Sequence, residues 1–165
     1  MKTLVIFRHA KAEKNSLLKD YDRGLTDRGK EDIVYMVKRV SKTGFKPDLI
    51  VTSPAKRTHK TAKIIAEYLK FDEQDIELNS NIYLANVDDL LYLIRDLDDS
   101  YNNVIIVGHN PTVTGIIGYL SPNFIEHLPT SGCAQIKFDV KTWKMIKQLS
   151  GKLSFVDFPS NAKSE

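Results

Sequence analysis

Short apolar runs alternate along the chain with segments whose apolar residues recur three and four positions apart. Apolar runs bounded by polar residues are typical of buried strands, and they predict strands at residues 2–7, 49–51, 76–78 and 104–107. Residues 104–107 give the strongest signal, because all four are β-branched, as in a strand covered on both faces. The segment from Cys133 to Phe155 predicts antiparallel strands around a turn at Asp139–Trp143.

Helical spacing of apolar residues predicts four helices between or after these strands. Thr26 is the predicted N-cap of the first, which ends before Gly44. Ser53 is the predicted N-cap of the second, with Pro54 in its first turn. The third is predicted to begin at Asp88 or Asp89. The second helix is expected to end near Leu69, and the fourth to span Thr112–Leu120.

This order of strands and helices predicts an α/β fold with three layers, in which helices cover both faces of an open, mostly parallel sheet. The C-terminal strands would add an antiparallel part near one edge. We expect one domain over residues 1–158, and a frayed C-terminal tail over residues 159–165.

Composition changes this picture little. The net charge of +3 is too small, and its cations too interspersed with acids, to predict a nucleic-acid partner. Cys133 is the only cysteine, so no internal disulfide can form. The N-terminus has no signal-peptide pattern, and no apolar stretch reaches the roughly 20 residues that span a bilayer. We therefore expect a cytoplasmic protein with no membrane partner.

Polar, ionisable residues follow three of the predicted strands. The first strand ends in Arg8 and His9, the second is followed by Ser53 and Arg57, and the strongest strand is followed by His109. Ligands of open α/β sheets bind beyond the carboxyl ends of the strands. If these strands are neighbours, two imidazoles and two guanidiniums meet in one small space.

Such a group of side chains suits phosphoryl chemistry. Guanidiniums bind phosphate oxygens through paired hydrogen bonds and remain charged. A neutral imidazole between them can attack phosphorus, giving a covalent phosphohistidine that water later hydrolyses. This chemistry needs no metal and no cofactor. A zinc site is not expected, because the histidines lack the short spacing of its ligands. His59 and His127 are predicted to have no role in the site.

Four segments resemble motifs of the histidine phosphatase superfamily, the phosphoglycerate mutase-like proteins. Arg8-His9-Ala10 with Asn15 resembles the family's Arg-His-Gly signature and downstream Asn. The segment "TSPAKRTHKTA" resembles its second-arginine motif, and "VIVGHNP" resembles its closing Gly-His motif. The segment "DYDRGLTDRG" is similar to a motif of the SixA-like branch. The four occur in the family's order.

The resemblance implies the phosphoglycerate mutase-like fold and a role for each matching residue. His9 would be the nucleophile. Arg8, Arg57 and His109 would be the other catalytic residues and would hold the phosphoryl group. Arg23 and Asn15 would add to the phosphate pocket.

Two departures from the family pattern bear on the substrate. Ala10 stands where the signature has glycine, a mild change. The stretch "NSNIYLANVDD" has no Glu where mutases and many phosphoesterases carry an acidic proton donor. An alkoxide leaving group needs that proton, whereas a protonated phosphoimidazole departs as neutral imidazole. The sequence therefore favours phosphohistidine on a protein, although Asp20, Asp88 or Asp89 could still supply an acid.

Two alternatives remain open at this point. The chain could be a general phosphatase for small phosphoesters or nucleotides, so the partner is either a phosphorylated protein or a small phosphorylated substrate. From a different class, it could be a catalytically silent module that binds phosphate or a phosphoprotein. Retention of both histidines and both main arginines argues against the silent module.

Overall fold

The structure is a computed structural model that describes residues 1–14, 17–122 and 126–159. Within these ranges, six strands form one sheet in the order β3-β2-β4-β1-β5-β6. The strands are β1 Lys2–Arg8, β2 Leu49–Thr52, β3 Glu77–Leu78, β4 Asn103–Gly108, β5 Cys133–Phe138 and β6 Lys152–Asp157. Strands β1 to β4 are parallel, whereas β5 runs antiparallel to β1 and β6 antiparallel to β5. The predicted mostly parallel sheet is confirmed.

Helices cover both faces of the sheet, as predicted. They are α1 Asp27–Ser41, α2 Lys56–Tyr68, α3 Val87–Arg95 and α4 Thr112–Leu120. Alternate residues of each central strand point to opposite faces. Val5 and Phe7 of β1 therefore pack in the same core as α1 and α2, and Leu4 and Ile6 in the core with α3 and α4. Among the described helices, none has the length and apolar character needed to cross a bilayer.

The start of α1 fixes the loop that follows β1. Thr26 caps the helix as predicted, and its hydroxyl accepts a hydrogen bond from the Gly29 N–H at 2.9 Å. A Cβ on Gly29 would lie 2.4 Å from the Lys11 carbonyl oxygen, so only glycine permits this approach. The helix therefore buttresses the backbone two residues beyond His9.

The predicted N-cap at Ser53 is wrong. Helix α2 begins at Lys56, and Ala55 before it is extended, with φ −54° and ψ 144°. The Ser53 hydroxyl contacts His109, at 2.9 Å from its Nε2. The same hydroxyl accepts from the Ala55 N–H at 3.3 Å, so it joins the loop before α2 to His109 rather than capping the helix.

Two other predicted boundaries are also wrong. Helix α3 begins at Val87, before Asp88 and Asp89, because Asn86 is its cap and Asp89 completes a capping box with it. No tight turn joins β5 to β6: residues 139–151 separate them and include a 3₁₀ helix whose Trp143 is fully buried.

Candidate active site

The ends of three parallel strands form the floor of the candidate site. Arg8 at the end of β1 pairs in register with Gly108 at the end of β4. The His9 N–H donates to the Gly108 carbonyl at 3.1 Å, and the Ser53 N–H donates to the Val107 carbonyl at 3.2 Å. These bonds bring His9, Ser53 and His109 side by side. The His9 and His109 rings lie with their centroids 5.5 Å apart.

His9 is held in one tautomer. Its Nδ1 lies 2.7 Å from the Ala10 carbonyl oxygen, which can only accept, so Nδ1 carries the proton and Nε2 keeps its lone pair. The side chain is buried. Burial lowers the pKa of His9 to about 3, outweighing the opposing effect of the hydrogen bond to Ala10. His9 is therefore a neutral imidazole with an unprotonated Nε2 at neutral pH.

His109 is held in the opposite tautomer. Arg57 Nη2 lies 3.3 Å from His109 Nδ1, and a guanidinium can only donate, so Nδ1 is the acceptor. Nε2 then carries the proton and donates to Ser53 Oγ at 2.9 Å. Burial, followed by the charge of Arg57, lowers the pKa of His109 to about 4.

Arg57 is the most enclosed cation of the site. It projects from the first turn of α2, and its side chain is only 7% exposed. Its Nη1 donates to the Asp20 carbonyl at 2.7 Å, and its Nη2 donates to Asp20 Oδ2 at 3.0 Å. Its Nε is buried and has no hydrogen-bond partner among the described residues. A buried donor of this kind suits an anionic ligand.

Arg8 and Arg23 flank this centre. Arg8 Nη1 donates to the Leu128 carbonyl at 3.1 Å and lies 3.3 Å from His127 Nε2. Arg23 donates through Nε and Nη2 to Asp20 Oδ1, at 3.3 and 2.8 Å. His127 thus touches a site residue without lining the pocket.

A pocket of about 480 Å³ opens between these side chains. Its lining consists of Arg8, His9, Lys11, Ala12, Lys14, Arg23, Arg57, His109, Asn110 and Thr130. Among the described residues, five cations and no carboxylate line it. The pocket is therefore built to attract an anion. Asn15, the remaining expected phosphate ligand, lies outside the described residues.

The three carboxylates that the sequence leaves as possible acids are placed differently. Asp88 and Asp89 do not line the pocket, and Asp89 Oδ2 accepts from the Asn86 N–H in the cap of α3. Asp20 contacts two of the site arginines. Hydrogen bonds from Tyr83 and Arg23 hold the pKa of Asp20 far below its usual range. A carboxyl group that stays ionised is a poor proton donor.

Sequence reasoning placed Ser53 at a strand end of the site but assigned its side chain to a helix cap, whereas its hydroxyl accepts from His109. It missed Tyr83 and the pocket-lining residues Lys11 and Lys14. Tyr83 lies in the stretch searched for a glutamate, and its hydroxyl donates to Asp20 Oδ2 at 2.7 Å. Its ring also meets the His109 ring edge-on, with centroids 5.5 Å apart. The only sequence signal for Tyr83 is its position in the stretch where an acidic proton donor was expected.

The described part of the chain contains no group of three or more His, Cys, Asp or Glu side chains placed to hold a metal ion. The two imidazoles of the pocket are surrounded by Arg8, Arg23 and Arg57. These permanent cations would repel a metal and attract an anion.

Comparison with known sequences connects this pocket to a family. Residues 4–82 match the model of the histidine phosphatase superfamily, branch 1. The chain is 36% identical over 80 residues to the 2,3-bisphosphoglycerate-dependent phosphoglycerate mutase of Bartonella henselae. That match covers 47% of this chain and 38% of the mutase, so the chain spans well under half the length of that relative.

Solved structures share the fold over nearly the whole chain. A SixA protein from Nakamurella multipartitia has a TM-score of 0.82 and 22% identity, covering 96% of each chain. The protein histidine phosphatase SixA in complex with tungstate has a TM-score of 0.81 and 20% identity, covering 96% of this chain and 98% of that one. The segment that matches the family model carries Arg8, His9 and Arg57, and nearly the whole chain has the fold of SixA proteins.

Proposed function

We propose that the protein is a metal-independent phosphatase that forms a covalent phosphohistidine on His9 and removes phosphate from phosphohistidine on a protein. The observation that carries the proposal is the pairing of a neutral, oriented imidazole with a cationic pocket. His9 Nε2 is unprotonated because Nδ1 donates to Ala10, and no carboxylate lines the pocket in the described ranges.

In the first step, the Nε2 lone pair of His9 attacks phosphorus while the bond from phosphorus to the substrate nitrogen breaks. The substrate imidazole leaves neutral if its other ring nitrogen carries a proton, so the enzyme need not supply an acid. Arg8 and Arg57 would hold the oxygens of the phosphoryl group in flight, and His109 would hold Arg57 through its Nδ1. The buried Arg57 Nε–H supports this role, because it has no other acceptor among the described residues.

In the second step, water attacks phosphorus and the bond to His9 Nε2 breaks, releasing inorganic phosphate. Because Nδ1 keeps its proton through the bond to Ala10, the phosphorylated ring is a cation and departs as a neutral imidazole. One proton of the attacking water passes to phosphate or solvent. Each turnover thus consumes one water and leaves His9 as it began.

The pocket also supports a protein substrate. Lys11 and Lys14 extend the cationic lining beyond the arginines towards the surface. An acidic surface around the phosphorylated histidine would fit this rim. The absence of a carboxylate from the lining argues against alkyl phosphate esters, whose departing alkoxide requires a proton.

The test is rapid quenching followed by mass spectrometry. A brief reaction with a phosphohistidine protein is expected to label His9, and a His9→Ala variant is expected to lose both label and turnover. His59→Ala is the matched control, because His59 lies two residues from Arg57 on α2 and does not line the pocket. Normal turnover by the His9→Ala protein would refute the mechanism.

Parallel rates decide the substrate class. The phosphohistidine protein is expected to react faster than a panel of alkyl phosphates and nucleotides at equal concentration. Preference for the small esters would favour a general phosphatase. Tight phosphate binding without turnover on any of them would favour a silent binding module.

A further inference from the structure

One carboxylate, that of Asp20, joins Arg23 and Arg57, two of the arginines that line the pocket. Its Oδ1 accepts from Arg23 Nε and Nη2, whereas its Oδ2 accepts from Arg57 Nη2. The carbonyl of the same residue accepts from Arg57 Nη1 at 2.7 Å. Two like-charged guanidiniums are thus held near each other by one anion that gives a separate oxygen to each.

The bonds to Asp20 leave a specific part of Arg57 for a ligand. A guanidinium has five N–H bonds. Asp20 takes one from each terminal nitrogen, and His109 takes a second from Nη2. One N–H of Nη1 and the Nε–H remain, and Nε is buried and has no hydrogen-bond partner among the described residues. Asp20 and His109 therefore engage three of the five N–H bonds of Arg57, and two remain for an anion.

Tyr83 fixes the carboxylate from another side. Its hydroxyl donates to Asp20 Oδ2 at 2.7 Å, and its ring packs edge-on against both Tyr21 and His109. The Asp20 side chain itself is 53% exposed, while the Arg57 side chain that it holds is 7% exposed. The site thus orients a buried cation through a carboxylate at its surface.

We propose that Asp20 is a positioning residue that sets the orientation and spacing of Arg23 and Arg57 for the transferring phosphoryl group, with Tyr83 holding Asp20 in place. Asp20 does not touch the reacting atoms; it acts through the two arginines. The inference rests on the proposed function, since it assigns phosphoryl binding to Arg57. It differs from two other roles for Asp20, as the proton donor to the leaving group and as an internal anion that competes with the substrate.

Asp20→Asn is the decisive variant. The asparagine amide keeps one acceptor oxygen, but its NH2 group is a hydrogen-bond donor. It would face a guanidinium, which can only donate as well. Asp22→Asn is the matched control, because it removes the same charge from an exposed side chain of the same 3₁₀ helix. Tyr83→Phe removes only the hydrogen bond to Asp20 and keeps the ring against His109.

The rates are measured on aryl phosphates with leaving groups of different pKa. For Asp20→Asn we expect kcat to fall about 10- to 100-fold, by the same factor for every leaving group, because misplaced cations weaken each transition state alike. Tyr83→Phe should show a smaller loss, and Asp22→Asn should match the wild type. Calorimetry with inorganic phosphate should find affinity within about threefold of the wild type, because the lost negative charge offsets the lost ordering.

Two results would overturn the inference. An unchanged or higher kcat with tighter phosphate binding would make Asp20 a competing anion. A loss that grows with the pKa of the leaving group would make it a proton donor.

A readout independent of turnover separates this inference from the proposed function. The Nε–H resonances of Arg23 and Arg57, assigned with Arg→Lys variants, should exchange slowly with solvent in the wild type and faster in Asp20→Asn. Equal exchange rates in the two proteins would overturn the positioning role even if the enzyme is active. Failure of the wild-type protein to label His9 or turn over would instead count against the proposed function, with the exchange rates still testing Asp20.

Discussion

His9 and His109 are neighbouring imidazoles with opposite proton positions, and their neighbours impose the difference. Ala10 offers His9 a carbonyl oxygen, which fixes the proton on Nδ1. Arg57 offers His109 a donor, which moves the proton to Nε2 and towards Ser53. His9 Nε2 therefore keeps a lone pair that can attack phosphorus. His109 Nδ1 accepts from Arg57, the cation that would hold the phosphoryl oxygens.

These tautomers can be observed directly. In long-range ¹H–¹⁵N spectra, with variants at each position for assignment, His9 should appear as the Nδ1–H form and His109 as the Nε2–H form. Both should remain neutral from pH 8 to about pH 5, because burial lowers their pKa values to about 3 and about 4. Protonation of either ring near its ordinary pKa of 6.5 would contradict the geometry of the site.

For single residues, the sequence predicts the position of a side chain that lies at or just after the end of a strand. Arg8, His9 and His109 come directly after apolar runs, and Arg57 follows within one turn of α2. The role of Asp20 could not be predicted, because it depends on contacts with Arg57 and Tyr83, 37 and 63 residues away. Local patterns contain no information on how two loops meet.

Helix α1 supports the pocket through the close approach of Gly29 to Lys11. The Thr26 N–H and the Thr26 hydroxyl both donate to the Lys11 carbonyl, at 3.0 and 3.3 Å. The first turn of the helix thus holds the backbone of a residue that lines the pocket. Any side chain at position 29 must displace that backbone.

We expect Gly29→Ala to lower the free energy of unfolding by about 1–3 kcal/mol, because its Cβ would overlap backbone that cannot easily move. The catalytic rate should fall as well, since Lys11 would shift. Gly24→Ala is the control: its Cβ would meet the flexible end of Lys56 at 3.5 Å, an ordinary contact. Urea unfolding and aryl phosphate turnover measure the two effects, and equal stability of the variants would refute this view of α1.

Elements were predictable where local signals agreed with packing. The β-branched run at 104–107 became the central strand β4, and Thr26 capped α1 as expected. Boundaries failed where a distant contact outweighed the local signal. The Ser53 hydroxyl contacts His109 Nε2. Trp143 packs in the core, where its indole N–H donates to the Tyr101 carbonyl at 2.9 Å.

For the whole molecule, the buried histidines make stability depend on pH. His9 and His109 have lowered pKa values in the folded chain, whereas in the unfolded chain each titrates near 6.5. Between about pH 6.5 and the folded pKa values, the unfolded state binds more protons, so stability falls as the pH falls. Each histidine contributes a slope of up to about 1.4 kcal/mol per pH unit in that window.

Urea unfolding at intervals from pH 7 to pH 4.5, in buffers without phosphate, measures this dependence. The wild-type free energy of unfolding should decrease on acidification, and a His9→Asn variant should show a shallower decrease. His59→Asn, at a partly exposed position, should change the slope less. A slope unaltered by His9→Asn would show that His9 is protonated in the folded state.

The floor and the walls of the pocket come from different parts of the architecture. His9, Ser53 and His109 are fastened by main-chain bonds between β1, β2 and β4 in the middle of the sheet, whereas Lys14 and Arg23 belong to the loop between β1 and α1. Substitutions at Lys14 can change which molecules enter the pocket while the reacting groups stay in register, whereas Asp20 in the same loop holds Arg57 and must be kept. The residues that perform the reaction can therefore stay the same during evolution while those at the pocket entrance change.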